Sequence, residues 1–192
     1  MYGGIICLGL DVTLIDSVRR FNDEKEIASR YGISSATYEE IVEECYRLTG
    51  ATSYSYQALF RVIGERLPRL PGGFFTEIES LLERRYCFAD TVPFLEKFPR
   101  EQLVLITEGN PEFQKAKLRA HDLERHFAFI QMGINKVEAL QLLPHTPGYF
   151  VDDAPRLLEA VKRRFWMTCC IQVWQPPPWE SQKDSAWIDA RC

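Results

Sequence analysis

The sequence has 192 residues, of which 46% are hydrophobic and 26% are charged, and these proportions are typical of a folded globular protein. This length suffices for one domain with a sizeable insertion, or for a core domain with a small companion. The formal net charge of -4 provides no basic field that would attract a phosphate backbone, so we expect no nucleic acid partner.

The chain opens with the apolar run Ile5–Leu8, which is too short for a helix and predicts a buried strand that ends at Gly9. From about residue 18 to residue 87, apolar residues recur at helical spacing without any strand-like run. This pattern predicts an inserted all-helical cap. Its four predicted helices lie around Phe21–Tyr31, Tyr38–Leu48 (capped by Ser35 or Thr37), Phe60–Leu67 and Phe75–Leu82.

After the cap, short apolar runs alternate with stretches of helical periodicity. The predicted strands are Leu103–Ile106, Phe127–Ile130, Tyr149–Val151 and one within Met167–Val173, and the predicted helices are Pro111–His121, Val137–Leu143 and Pro155–Arg164. This alternation predicts an α/β fold, with a Rossmann-like parallel sheet that has helices on both faces. We therefore predict a core domain at 1–17 and 88–192 and a cap domain at 18–87.

The N-terminus lacks the basic region, apolar stretch and cleavage site of a signal peptide, and no apolar run approaches the ~20 residues needed to span a bilayer. The six cysteines include no CxxC pair and no histidine spacing typical of a zinc site, so free thiols are the simplest interpretation. We therefore expect a cytoplasmic protein without a membrane partner.

The side chains that could carry chemistry follow the ends of the predicted strands. In a parallel α/β sheet, the ligand site lies at the carboxyl ends of the strands. Carboxylates are suitable ligands for magnesium, and a lysine and a threonine hydroxyl can hold phosphate oxygens. The residues that would form such a site are Gly9, Asp11, Thr107, Lys136, Asp152 and Asp153.

Four segments resemble, in order, the motifs of the haloacid dehalogenase superfamily of hydrolases. Gly9–Ser17 resembles the first motif, which is usually Asp-x-Asp-Gly-Thr-Leu and is often followed by x-Asp-Ser. Leu105–Asn110 is similar to the second, Lys136 can serve as the third, and Phe150–Asp153 resembles the acidic fourth. The resemblance covers nearly the whole chain, and it implies a phosphohydrolase scaffold with a helical cap, a small phosphorylated substrate and a magnesium ion.

The first motif departs from the family pattern at the catalytic position. In active phosphatases of the family, the first aspartate attacks phosphorus and binds magnesium, and the second acts as general acid and base. Aligned on Thr13, the first position holds Gly9 and the second holds Asp11, while Val12 replaces the usual glycine. Without the attacking carboxylate no aspartyl-phosphate can form, so we predict impaired phosphatase activity.

The resemblance also assigns roles to the remaining residues. It implies Asp11, Thr107 and Lys136 as the catalytic set. It implies magnesium ligation by Asp152 and Asp153 and by Asp11, the last through its backbone carbonyl. Magnesium binding should be weakened, because Gly9 supplies no ligand.

Several alternatives stay open at this point. In a shifted register Asp11 would attack, with Thr13 two residues later as in the related P-type ion pumps, but Ile15 and Asp16 would then replace the expected Thr and Leu. The chain could also derive from an active parent with Asp at position 9, or be a non-catalytic relative that binds a phosphorylated ligand or a protein partner. Lys115 and Lys117 compete with Lys136 for the third motif.

Overall fold

The computed structural model describes residues 4–174. Its strands are β1 (Ile6–Leu8), β2 (Leu103–Thr107), β3 (Phe129–Met132), β4 (Tyr149–Asp152) and β5 (Cys169–Gln172). Its helices are α1 (Ser17–Arg30), α2 (Ser35–Thr49), α3 (Tyr56–Arg66), α4 (Gly72–Ser80), α5 (Thr91–Leu95), α6 (Pro111–Ala120), α7 (Lys136–Gln141) and α8 (Pro155–Arg164).

The chain divides into two compact units. Within the described range, the sheet unit contains residues 4–16, 87–107 and 123–174. The helical unit contains Ser17–Tyr86 and also Glu108–Asp122. It therefore includes α6, which follows β2 in the chain, as well as the four helices of the predicted cap.

The sheet is five-stranded and parallel, with the order β3-β2-β1-β4-β5. Strand β1 is central, and Cys7 lies in register with Val104 on one side and Phe150 on the other. The chain therefore leaves β1, β2 and β4 at the same edge, where the strand order changes direction. The predicted α/β class with a Rossmann-like sheet is confirmed.

Helices α7 and α8 cover one face of the sheet, and apolar burial holds them against it. Removal of this apolar surface from water is the main stabilising contribution to such a core. The buried residues of this layer are Cys7, Val104, Ile106, Ala139, Leu140, Phe150, Leu158 and Val161. The packing fixes the start of α7 against the sheet, which positions Lys136.

The helical unit has its own core of aromatic and aliphatic side chains, in which Tyr38, Tyr56 and Phe74 are fully buried. A buried carboxylate, Glu24, accepts hydrogen bonds from the hydroxyls of Tyr38 at 3.1 Å and Tyr56 at 2.6 Å. Arg20 lies 3.4 Å from the same carboxylate. The charge of Glu24 is thus compensated, as a buried carboxylate requires.

Three local predictions were wrong in detail. Strand β3 begins at Phe129, two residues later than predicted, because Phe127 packs into the core instead. Helix α2 is capped by Ser34, whose backbone is still extended and whose hydroxyl accepts from the N–H of Thr37 at 3.1 Å. Helix α5 was not predicted at all, since it is shorter than the window in which helical periodicity can be recognised.

Among the described cysteines, Cys7, Cys45, Cys87 and Cys170 are free thiols. Cys169 is disulfide-bonded, so the prediction of free thiols was wrong for that residue. Across residues 4–174, no helix is both long enough and apolar enough to cross a membrane.

Candidate functional site

The loop after β1 is fixed by backbone hydrogen bonds. The N–H of Gly9 donates to the carbonyl of Val151 at 2.9 Å, which ties the start of the loop to β4. The N–H groups of Leu14 and Ile15 both donate to the carbonyl of Leu10, at 2.9 and 3.1 Å. The loop therefore forms a tight turn at the carboxyl edge of the sheet.

Val12 adopts a left-handed backbone conformation within this turn, with φ of 60°. A β-branched side chain in this region is a steric outlier, whereas glycine adopts it without strain. Val12 is also the residue that replaces glycine in the family motif. The turn thus keeps a geometry that suits glycine although the glycine is absent.

We expect Val12→Gly to stabilise the protein by about 1 kcal/mol, because it relieves backbone strain of roughly 1–3 kcal/mol and costs about 0.5–1 kcal/mol in chain entropy. Urea denaturation would measure the change. Asp122→Gly is the matched control: Asp122 also has positive φ, at 54°, but aspartate tolerates this region better. A Val12→Gly gain no larger than that of Asp122→Gly would contradict the strain argument.

The space above Gly9 is filled by a neighbouring carboxylate. A Cβ atom at position 9 would lie 2.3 Å from Oδ2 of Asp152 and 3.0 Å from Oγ1 of Thr13. A separation of 2.3 Å is far below van der Waals contact, so a side chain at position 9 would have to displace Asp152. Gly9 and the present position of Asp152 are therefore mutually dependent.

Asp152 is held in this position by two donors. Lys136 donates from Nζ to Oδ2 at 2.6 Å, and the N–H of Ala154 donates to Oδ1 at 3.1 Å. The Asp152 side chain is 0% exposed and that of Lys136 is 13% exposed, so this is a buried ion pair. Each charge would be costly there without the other.

Thr13 contributes a hydroxyl that the sequence did not single out. Thr13 is 4% exposed, and its Oγ1 has no hydrogen-bond partner. An unsatisfied buried hydroxyl costs about 1–3 kcal/mol. This atom borders the space above Gly9 that Asp152 fills, at 3.0 Å from the point where a Cβ would stand. Its place in the first motif was the signal that could have identified it.

Asp153 follows Asp152 and is only partly buried. Its burial and the negative charge of Asp152 raise the pKa of the Asp153 carboxyl to about 6, against the opposing influence of Lys136. Two adjacent acids thus share one nearby ammonium. Asp152, Asp153 and Lys136 together therefore carry more negative than positive charge.

The structure places the other predicted residues at the same edge of the sheet. Thr107 is the last residue of β2 and is buried, and Asp11 lies in the loop after β1, where it forms a β-bridge with Ile15. The close contacts, however, join Gly9, Thr13, Lys136 and Asp152. The roles assigned to Asp11, Thr107 and Asp153 stay predictions.

The arrangement does not fit a magnesium ion well. Magnesium requires oxygen ligands in near-octahedral geometry, usually one or two carboxylates with waters and substrate oxygens. Within residues 4–174, no group of three or more His, Cys, Asp or Glu side chains is arranged to hold a metal. Both oxygens of Asp152, the buried acid, already accept hydrogen bonds from Lys136 and Ala154.

No protein-family model matches the sequence, and no curated protein matches it. Solved structures with the same fold do match. A haloacid dehalogenase-like hydrolase from Burkholderia xenovorans aligns with a TM-score of 0.71 at 19% identity, over 97% of this chain and 89% of that one. The L-2-haloacid dehalogenase from Xanthobacter autotrophicus aligns with a TM-score of 0.62 at 16% identity, over 93% and 80%.

A third similar structure is the HAD-hydrolase YfnB from Bacillus subtilis, which was solved bound to magnesium. It aligns with a TM-score of 0.58 at 12% identity, over 91% of this chain and 90% of that one. Identities this low establish a shared fold and no more. The chain therefore has the fold of the haloacid dehalogenase-like hydrolases.

Proposed function

We propose that this chain is a catalytically impaired relative of the haloacid dehalogenase-like hydrolases that binds a small phosphorylated molecule without hydrolysing it. The observation that carries the proposal is the space above Gly9. No carboxylate projects from β1, and Oδ2 of Asp152 lies 2.3 Å from the point where a Cβ of residue 9 would stand.

Without a carboxylate at position 9, the chain lacks the group that would form the covalent phosphoenzyme. A nucleophile must reach phosphorus while the leaving group is protonated, and the intermediate must then be hydrolysed. Asp152 is a poor substitute, because its two oxygens already accept from Nζ of Lys136 and from the N–H of Ala154. Asp152 is also 0% exposed and ion-paired with Lys136. The carboxylate of Asp152 therefore fills the space above Gly9 and does not act as a nucleophile.

The backbone of the loop supports the unshifted register over the alternative in which Asp11 attacks. The family motif has glycine three residues after the nucleophile, where positive φ is tolerated. Val12 has positive φ and lies three residues after Gly9. In the shifted register the same position would be Leu14, whose φ is not positive. This supports the assignment of position 9 to the missing nucleophile.

The proposed ligand contacts are polar groups that suit phosphate. The unpartnered hydroxyl of Thr13 can donate to an anion, and the ammonium of Lys136 contributes a positive charge beside it. Thr107 ends the neighbouring strand β2. The absence of a carboxylate at position 9 removes one repulsive charge from this site, which favours an anion.

Titration calorimetry with inorganic phosphate tests this proposal. We expect binding with weak or no dependence on magnesium, and we expect Lys136→Ala to weaken it by roughly 10- to 100-fold, the effect of losing a charged hydrogen bond of about 1.5–3 kcal/mol. Asp153→Ala should weaken it less or not at all, because it removes a negative charge that opposes an anion. Lys97→Ala, which changes an exposed lysine of the same unit, is the matched control and should have no effect.

Circular dichroism must first show that Lys136→Ala is folded. If the wild type binds no phosphate with or without magnesium, or if folded Lys136→Ala binds as well as the wild type, the site does not hold phosphate and the proposal is wrong.

A further inference from the structure

We infer that the ammonium of Lys136 takes the place of a divalent cation, so that the acidic side chains at the carboxyl edge of the sheet are neutralised without magnesium. The inference concerns the same site as the proposed function and deepens it. It starts from the contact between Nζ of Lys136 and Oδ2 of Asp152, which is 2.6 Å long and buried.

A magnesium ion at this edge would need oxygen ligands. Gly9 supplies none, and the position of its missing Cβ is blocked by Asp152. Among residues 4–174, Asp152 is the fully buried acid at this edge, and its two oxygens accept from Lys136 and from the N–H of Ala154. What remains at this edge is Asp11 and Asp153, both partly buried, and no three acids of residues 4–174 are arranged to hold a metal ion.

The positive charge of Lys136 would also oppose a magnesium ion at Asp152. A magnesium ion bound to Oδ2 of Asp152 at the usual ~2.1 Å would lie within about 5 Å of the lysine ammonium. Two cations on one carboxylate oxygen repel each other strongly where the surroundings are shielded from water. Lys136 and Asp152 are both largely buried, so solvent screens this repulsion poorly. The lysine therefore excludes the ion from the carboxylate that it already neutralises.

The start of α7 fixes the position of Lys136. Lys136 is the first residue of α7, and Asn135 caps that helix by accepting from the N–H of Val137 at 2.9 Å. Ala139 and Leu140 of the same short helix are buried against the sheet. The backbone that carries Lys136 is thus anchored on both sides, which positions the lysine beside Asp152.

The test measures metal binding directly and needs no phosphorylated ligand. Thermal unfolding of the wild type should shift by less than about 1 °C between excess magnesium and EDTA, because a ligand that does not bind the native state leaves stability unchanged. Manganese, added as a paramagnetic probe, should likewise show no bound population by electron paramagnetic resonance. Specific binding of either ion to the wild-type protein would overturn the inference.

Lys136→Gln supplies the complementary result, because it removes the charge and keeps a hydrogen-bond donor. This variant should gain a magnesium-dependent rise in Tm of roughly 3–6 °C when the ion is tenfold above its Kd. Lys97→Gln, at an exposed lysine, should gain nothing. A folded Lys136→Gln protein that still ignores magnesium would also overturn the inference, since the lysine would then not be what excludes the ion.

These outcomes are separable from those of the proposed function. Absence of phosphate binding would leave the magnesium result standing, because the metal is tested alone. Magnesium binding by the wild type would overturn the inference, while phosphate could still bind at the same edge with the metal.

Discussion

Wild-type protein should show no magnesium-dependent turnover of small phosphate esters above background. Gly9 provides neither an attacking carboxylate nor a magnesium ligand, and loss of a nucleophile from a concerted catalytic unit costs on the order of 10⁶-fold in rate, or about 8 kcal/mol of barrier. A phosphatase screen with magnesium present measures this. Turnover that is abolished by Asp11→Asn but indifferent to changes at position 9 would contradict it and favour the shifted register.

The same screen should include Gly9→Asp, which introduces the aspartate that the haloacid dehalogenase motif would have at this position. We expect this single change to restore little activity, because its Cβ would meet Oδ2 of Asp152 at 2.3 Å and Asp152 would have to leave Lys136. In the double variant Gly9→Asp/Asp152→Ala, the new carboxylate can occupy the vacated space beside Lys136. The double variant should therefore be more stable than Gly9→Asp alone.

A pair of alanine substitutions isolates the steric part of this argument. Gly9→Ala should destabilise the protein by about 1–3 kcal/mol, as expected for an overpacked buried position. Gly64→Ala lies in α3 with open space around its Cβ and should stabilise the protein by about 0.5–1 kcal/mol. Equal effects at the two glycines would show that Asp152 does not hold the space above Gly9.

The parallel sheet could be predicted from the sequence because its signals are local. Buried runs such as Leu103–Thr107 consist of β-branched and aliphatic residues, and proline and basic residues bound the helix Pro155–Arg164, whose limits the structure reproduces. Regular alternation of such segments restricts the architecture to a helix-covered parallel sheet. Where local signals were weaker, as at the cap of α2 or in the short α5, the predictions failed or were absent.

The candidate site was predictable only in part, for a physical reason. The strand ends identify which residues gather at one edge, so Gly9, Thr107 and Asp152 could be named from the sequence. Which side chains then pair is a matter of tertiary contact. Lys136 and Asp152 are sixteen residues apart, and only the packing of α7 against the sheet reveals that the lysine neutralises this carboxylate. The motif could have pointed to Thr13, but only the structure shows that its hydroxyl has no hydrogen-bond partner.

Removing the charge of Lys136 should destabilise the sheet unit by about 3–5 kcal/mol, because it leaves the fully buried carboxylate of Asp152 without its partner. Lys136→Met is the suitable variant, since methionine keeps most of the aliphatic stem. Urea denaturation followed by circular dichroism at neutral pH measures the loss. The same substitution at an exposed ion pair is the control: Arg163 and Glu159 are 3.3 Å apart and their side chains are 81% and 67% exposed.

Arg163→Met should change stability by no more than about 0.5 kcal/mol, because solvent screens exposed pairs and the ordering of two long side chains offsets the attraction. In the double variant Lys136→Met/Asp152→Asn, no charge is left unpaired, so most of the loss should be recovered. The recovery separates lost charge compensation from lost packing, since the methionine is present in both proteins. Two outcomes would contradict this prediction: Lys136→Met destabilises the protein no more than Arg163→Met, or Asp152→Asn recovers none of the loss. Either outcome would show that the lysine does not hold Asp152 in the space above Gly9.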